Sequence, residues 1–171
     1  GPRRQVPRAA GRYATQGLIA LGNFLKAHMK FRFPIIIIDE DFRSENISGS
    51  GIRDLALAIE GEGIEVIGLT SYGDLTSFAQ QASRASCFVL SIDDEEFISD
   101  TEDNDLPALN NLRAFVAEVR KRNEDIPIFL YGETRTSRHM PNDILRELHG
   151  FIHMNEDTPE FVARHIIREA K

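Results

Sequence analysis

The chain has 171 residues, 42% hydrophobic and 27% charged, with a formal net charge of −7 at pH 7. That composition supports one ordinary core rather than two, and its acidic balance does not draw it to nucleic acid by bulk electrostatics. No apolar run approaches the ~20 residues that cross a bilayer, and Ile35 to Ile38 is strand length, so a membrane-spanning role is set aside.

Residues 1–30 carry Arg3, Arg4, Arg8, Arg12, Lys26 and Lys30 and no acid, which leaves a net charge of about −13 on residues 31–171. An amphipathic stretch with Leu18, Ile19, Leu21, Phe24 and Leu25 is compatible with an organelle transit peptide. Met29, followed by Lys30 and a strand, reads instead as a natural start, with a basic leader ahead of it that comes from a fusion or an upstream reading frame. The expected division is therefore a leader over 1–30, partly disordered or helical, and one domain over 31–171.

From Phe33 onward, short β-rich runs alternate with segments of helical period, the pattern of βαβ units. Strands are expected at Phe33 to Ile38, Glu65 to Leu69, Cys87 to Ile92, Ile126 to Tyr131 and Phe151 to Met154. The unbroken apolar character of Ile35 to Ile38 and Phe88 to Leu90 suits parallel strands covered on both faces. Cys87, the only cysteine, has no partner for an internal disulfide and reads as a small core residue of a protein in a reducing cytoplasm.

Core stripes recur at three and four between the strands. They are Ile52, Leu55, Ala56 and Ile59, then Leu75, Phe78, Ala79 and Ala82. A third helix opens at Pro107 and runs through Leu109, Leu112, Val116 and Val119, and a short fourth covers Asn142 to Leu148. The last has Thr158 as cap and Pro159 in its first turn, and is expected to bury Phe161, Val162, His165 and Ile166. It reaches Lys171 with no Gly or Pro stop, which reads as a chain cut inside or just after a helix. The fold class expected is α/β: a flavodoxin-like or receiver-like, doubly wound, five-stranded parallel sheet with helices on both faces.

Ligands of such folds sit beyond the carboxyl ends of the strands. Those loops are acidic here, with Asp39, Glu40 and Asp41 after the first strand and Asp93, Asp94, Glu95 and Glu96 after the third. The arrangement resembles the pocket of a response-regulator receiver, in which acids hold Mg²⁺ and an Asp accepts a phosphoryl group. Clustered carboxylates favour a hard divalent ion. The match fails after the fifth strand, where a receiver's phosphate-pairing Lys is replaced by Met154, Asn155, Glu156 and Asp157. After the fourth strand only an offset Thr134 offers a hydroxyl.

Weaker patterns carry less. Gly49, Ser50 and Gly51 imitate a dinucleotide fingerprint, but Asp54 takes the third glycine's place, so a flexible helix entry is expected. Asp100, Glu102 and Asn104 hint at a calcium loop without its glycine and read as a solvated segment. His149 and His153 straddle a helix end and a strand with no third ligand in view. No Ser or Cys is paired with a base at a recognisable spacing. The expected site inventory is accordingly empty: no catalytic, cofactor-binding or metal-binding residue is assigned.

The runs Asp125-Ile126-Pro127-Ile128-Phe129-Leu130-Tyr131-Gly132-Glu133, Asn142-Asp143-Ile144-Leu145-Arg146-Glu147-Leu148 and Glu156-Asp157-Thr158-Pro159-Glu160-Phe161-Val162-Ala163 appear in an order that resembles a known family. This is the N-terminal, or wing, domain of bacterial inducible ornithine/lysine/arginine decarboxylases, and the likeness is greatest to the arginine type. It extends from about Met29 to the end. It implies a receiver-like domain without phosphorelay residues, to be followed by a pyridoxal-phosphate domain that holds the Schiff-base lysine.

On this resemblance the chain itself is not a catalyst and carries no cofactor; pyridoxal phosphate belongs to the parent enzyme. The implied partners are the rest of its own decarboxylase chain and neighbouring subunits, in a homo-oligomer that is commonly a decamer. The implied setting is cytoplasmic acid resistance or polyamine metabolism. Some lysine-type members bind guanosine tetraphosphate between subunits through an Arg that aligns roughly with Arg146; on an exposed helix, a solvated charge is the competing reading. A degenerate or true signalling receiver, and a small flavodoxin-like enzyme or nucleotide binder, are the alternatives.

Overall fold

The computed structural model describes residues 31–43, 50–70, 75–93, 97 and 106–170. Five strands form one parallel sheet in the order β2-β1-β3-β4-β5. They are β1 (Ile35–Ile38), β2 (Val66–Leu69), β3 (Cys87–Ser91), β4 (Ile128–Gly132) and β5 (Gly150–His153). Register is set by pairs such as Ile35 with Val66 and with Cys87, Phe88 with Ile128, and Phe129 with Gly150.

The continuous apolar runs have a direct cause. Along each central strand, alternate side chains enter two different cores. Ile36, Ile38, Phe88, Leu90, Ile128 and Leu130 point to one face, and Ile35, Ile37, Cys87, Val89, Phe129 and Tyr131 to the other. A strand buried on both faces has no polar side to show. The first core is closed by α2 (Leu75–Phe78, continued as a 3₁₀ helix over Ala79–Arg84) and α3 (Pro107–Arg122). Within it, Phe88 and Phe115 meet edge to face, ring centroids 5.2 Å apart. The second is closed by α1 (Ser50–Gly61) and α6 (Pro159–Glu169), which pack against each other. Two short helices, α4 (Thr134–His139) and α5 (Asn142–Leu145), lie between β4 and β5.

Several expectations are corrected in detail. Phe33, Pro34, Ile126 and Pro127 precede their strands rather than opening them, because proline has no N–H for the ladder. The Pro34 and Pro127 carbonyls still accept from Ser86 and Phe88 at 2.9 and 3.0 Å. The second helix is one α-turn followed by 3₁₀; its buried Leu75, Ala79 and Ala82 are spaced four and then three, and three is the 3₁₀ repeat. Helix α5 stops at Leu145, short of Leu148. Phe161 is 53% exposed rather than buried, since the buried stripe of α6 is Val162, Ala163 and Ile166, and His165 is only half-buried.

The leader over 1–30, with Met29, lies outside the described residues, as do Gly49, Asp94, Glu95, Glu96, Asp100, Glu102 and Asn104. Among the described residues, no helix is long and apolar enough to cross a membrane.

Candidate functional site

The chain leaves β1 for β2 on one side and later crosses to β3 on the other, which places the topological switch at the carboxyl ends of β1 and β3. Asp39, directly after β1, is buried there. Its Oδ1 accepts from the Asp41 backbone N–H at 2.6 Å, and the Ser91 hydroxyl at the end of β3 also bonds the carboxylate. Burial raises the Asp39 pKa above its ordinary value, and these two hydrogen bonds pull it back only in part. Arg53 of α1 donates from Nη1 to the Asp41 carbonyl at 3.1 Å, tying the acidic turn to the helix. Glu40 and Asp93 are exposed.

The opposite half of the edge departs from a phosphoryl pocket. The Thr134 hydroxyl sits 3.2 Å from His153 Nδ1 and donates to Glu156 Oε1 at 3.1 Å, so it is engaged with the β5 turn. Beyond β5 the Met154 N–H donates to the Gly132 carbonyl at 2.9 Å and Asn155 turns the chain at φ 65°. A receiver would carry its lysine at this place. Lys121, the one lysine among the described residues, is on α3 and pairs with Glu118 at 3.0 Å.

On the α1/α6 side of this edge lies an open cleft of about 420 Å³, lined by residues that include Gly51, Asp54, Tyr131, His153, Asn155 and Asp157. Gly51 lies in the first turn of α1, and a Cβ there would lie 2.7 Å from the Tyr131 hydroxyl oxygen. In the sequence Tyr131 reads as a strand residue, Asp157 as part of the loop without the receiver's lysine, and Asp54 as the residue in a third glycine's place.

The two histidines go to different partners. His149 Nε2 meets Glu169 Oε2 at 3.0 Å, supplying the carboxylate that the sequence did not reveal, whereas His153 meets Thr134. Arg146 is exposed just past α5. Burial drives the Cys87 thiol pKa strongly upward, as a core thiol requires.

Taken together, strand order 2-1-3-4-5, an acid after β1 and a β5 turn without lysine define a receiver-like α/β domain. The sequence profile of the Orn/Lys/Arg decarboxylase N-terminal domain matches residues 47–171, and the chain belongs to that family. Lysine decarboxylase LdcA of Pseudomonas aeruginosa is 23% identical over 143 residues, 82% of this chain and 18% of that protein. The biodegradative arginine decarboxylase of Escherichia coli is 24% identical over 131 residues, 75% of this chain and 16% of that protein. The chain thus spans less than a fifth of the length of these relatives, and it meets a lysine and an arginine enzyme at nearly equal identity.

Solved structures agree with this reading. Lysine decarboxylase A from Pseudomonas aeruginosa superimposes with a TM-score of 0.66 at 25% identity, over 81% of this chain and 18% of that one. A response regulator receiver domain protein from Clostridium thermocellum superimposes at 0.54 and 13% identity, over 81% of this chain and 93% of that one, a likeness of fold alone.

Proposed function

We propose that this chain is the non-catalytic N-terminal domain through which a pyridoxal-phosphate-dependent decarboxylase of basic amino acids assembles and is regulated, in the cytoplasm, in acid resistance or polyamine metabolism. The observation that carries the reading is the family match over residues 47–171, combined with the small share of each relative that the chain spans. The rest of such an enzyme is where the chemistry belongs.

Pyridoxal phosphate needs a lysine for its imine linkage, and the cleft lining includes none; Lys121 is on the far side of the sheet, in the helix that closes the first core. The residues therefore do not fit the cofactor. Phosphoryl transfer lacks a cation after β5, and the Thr134 hydroxyl is already committed to His153 and Glu156.

The acidic body supplies a physical route to a pH response, because protonating crowded carboxylates relieves repulsion between subunits as pH falls. Association of the full-length protein is predicted to be tighter near pH 5 than near pH 8 by sedimentation, and pH-independent sedimentation would count against it. Reading the gene past the codon for Lys171 is the direct test of the assignment. An open frame that continues into a domain with a Schiff-base lysine supports it. A stop codon there contradicts it.

A further inference from the structure

The outer side of α6 and the free side of β5 form one continuous face. Among the described residues β5 is hydrogen-bonded to β4 alone, so its other edge is open. Beside that edge runs a groove of about 360 Å³ whose apolar lining includes Phe129, Phe151, Ile152, Phe161 and Val162, with His165 at its rim. Phe161 is 53% exposed there, because the core stripe of α6 is Val162, Ala163 and Ile166. An aromatic ring left half in water, next to an apolar groove on an edge strand, marks an interaction surface.

The charges on this face are ordered along the chain. Glu156 and Asp157, five and four positions before Phe161, are exposed and line the groove. Arg164 and Arg168, three and seven positions after it, are also exposed, and that spacing puts them on the same side of the helix as Phe161. Glu169, the acid of the last turn, pairs with His149 at 3.0 Å. The macrodipole of α6 favours the same order of charge, but it does not account for a half-exposed ring between the two ends. A two-fold axis beside Phe161 runs two copies of α6 antiparallel, and the acidic end of each then meets the basic end of the other. A face with opposite signs at its ends and an apolar centre is thus complementary to itself. Any other partner has to reproduce that order in reverse, whereas a second copy already carries it.

We propose that the β5–α6 face is a two-fold interface with a second copy of this chain, in which the Phe161 rings meet over the grooves and Glu156 and Asp157 of each copy face Arg164 and Arg168 of the other. It names a surface for the assembly proposed above and rests on that reading. One helix of 11 residues and the rim of one strand make a small contact, so the Kd of the chain by itself is on the order of 10⁻⁴ M.

The test is sedimentation equilibrium of the 171-residue chain between about 10 µM and about 1 mM, where a closed monomer–dimer equilibrium is expected. Raising NaCl from about 50 to about 500 mM should weaken the dimer severalfold. Phe161→Ser, at an exposed position, should weaken it about tenfold. Arg164→Glu with Arg168→Glu, and separately Glu156→Lys with Asp157→Lys, should each abolish self-association. An equimolar mixture of these two double variants should restore a dimer, because each then carries the sign that the other lacks. A chain that stays monomeric to about 1 mM overturns the face, whatever else covers the groove. So does a dimer that survives Phe161→Ser and both reversals, or a mixture no more associated than its parts when both keep the wild-type amide spectrum. None of these results touches the assembly reading itself, which stands or falls on removing residues 1–171 from the full-length protein.

Discussion

Phe42 packs against Gly68, closely enough that any Cβ on β2 at that position would enter the ring. The contact joins the acidic turn after β1 to the sheet, and it explains a glycine inside a strand, where glycine is otherwise unfavourable. Gly68→Ala is predicted to lose about 1–3 kcal/mol in denaturant unfolding, and an unchanged midpoint would show that Phe42 is free to move. Asp39 gives a prediction of opposite sign. Its folded-state pKa is raised above the ordinary 3.8, mainly by burial, so the folded protein holds that proton more tightly than the unfolded chain does. The stability this contributes is full below the unfolded pKa and is lost as pH rises through the folded one. Asp39→Asn removes the titration and keeps an oxygen acceptor for the Asp41 amide. The variant should therefore gain on the wild type as pH is raised from below about 3.8 toward neutrality. Urea midpoints at the two ends of that range check it, and a constant difference between the proteins would contradict it.

At the scale of elements, α6 is the best-defined helix in local terms. Thr158 Oγ1 accepts the Phe161 N–H at 3.2 Å, and Pro159 occupies the first turn. Thr158→Ala should cost about 1 kcal/mol, read by thermal or denaturant unfolding. Arg120 performs a longer-range task at the end of α3. Its Nη1 donates to the buried Ile126 carbonyl at 2.7 Å, its Nε to Glu147 Oε2 at 3.3 Å and its Nη2 to the Glu147 carbonyl. One planar group thus ties α3, the approach to β4 and the turn after α5. Arg120→Ala should cost about 1–3 kcal/mol, and Arg120→Lys should recover little of it, because an ammonium cannot reach three acceptors in a plane.

These elements also show what the sequence makes legible. All five strands and the stripes of α1, α3 and α6 are written in apolar spacing, since the sheet faces both cores and each of these helices closes one of them. Helix α4, with Thr134, Arg135, Thr136, Ser137, Arg138 and His139, has no such stripe and buries only Thr136. It forms because the chain must turn back from β4, and periodicity carries no trace of that. The cleft was hidden for a related reason. Tyr131, Asp54 and Asp157 are 77 and 26 residues from their neighbours in the set, brought together only by strand order. The absence of a lysine after β5 needed no structure at all.

For the whole molecule, the proposed function has a receiver-like fold serve through its surfaces rather than through phosphoryl chemistry. Its body concentrates negative charge, and among the described residues β2 and β5 are the edge strands at the two ends of the sheet. Ile67 on β2 and Phe161 on α6 add exposed apolar area near those ends. The central claim is that this domain assembles an enzyme whose chemistry is elsewhere. The measurement that tests it is the solution mass of the full-length protein at about pH 5, with and without residues 1–171, alongside decarboxylase activity per bound pyridoxal phosphate. The account predicts that removing the domain reduces the assembly to a smaller oligomer while activity per cofactor persists. An unchanged mass after its removal would contradict the claim.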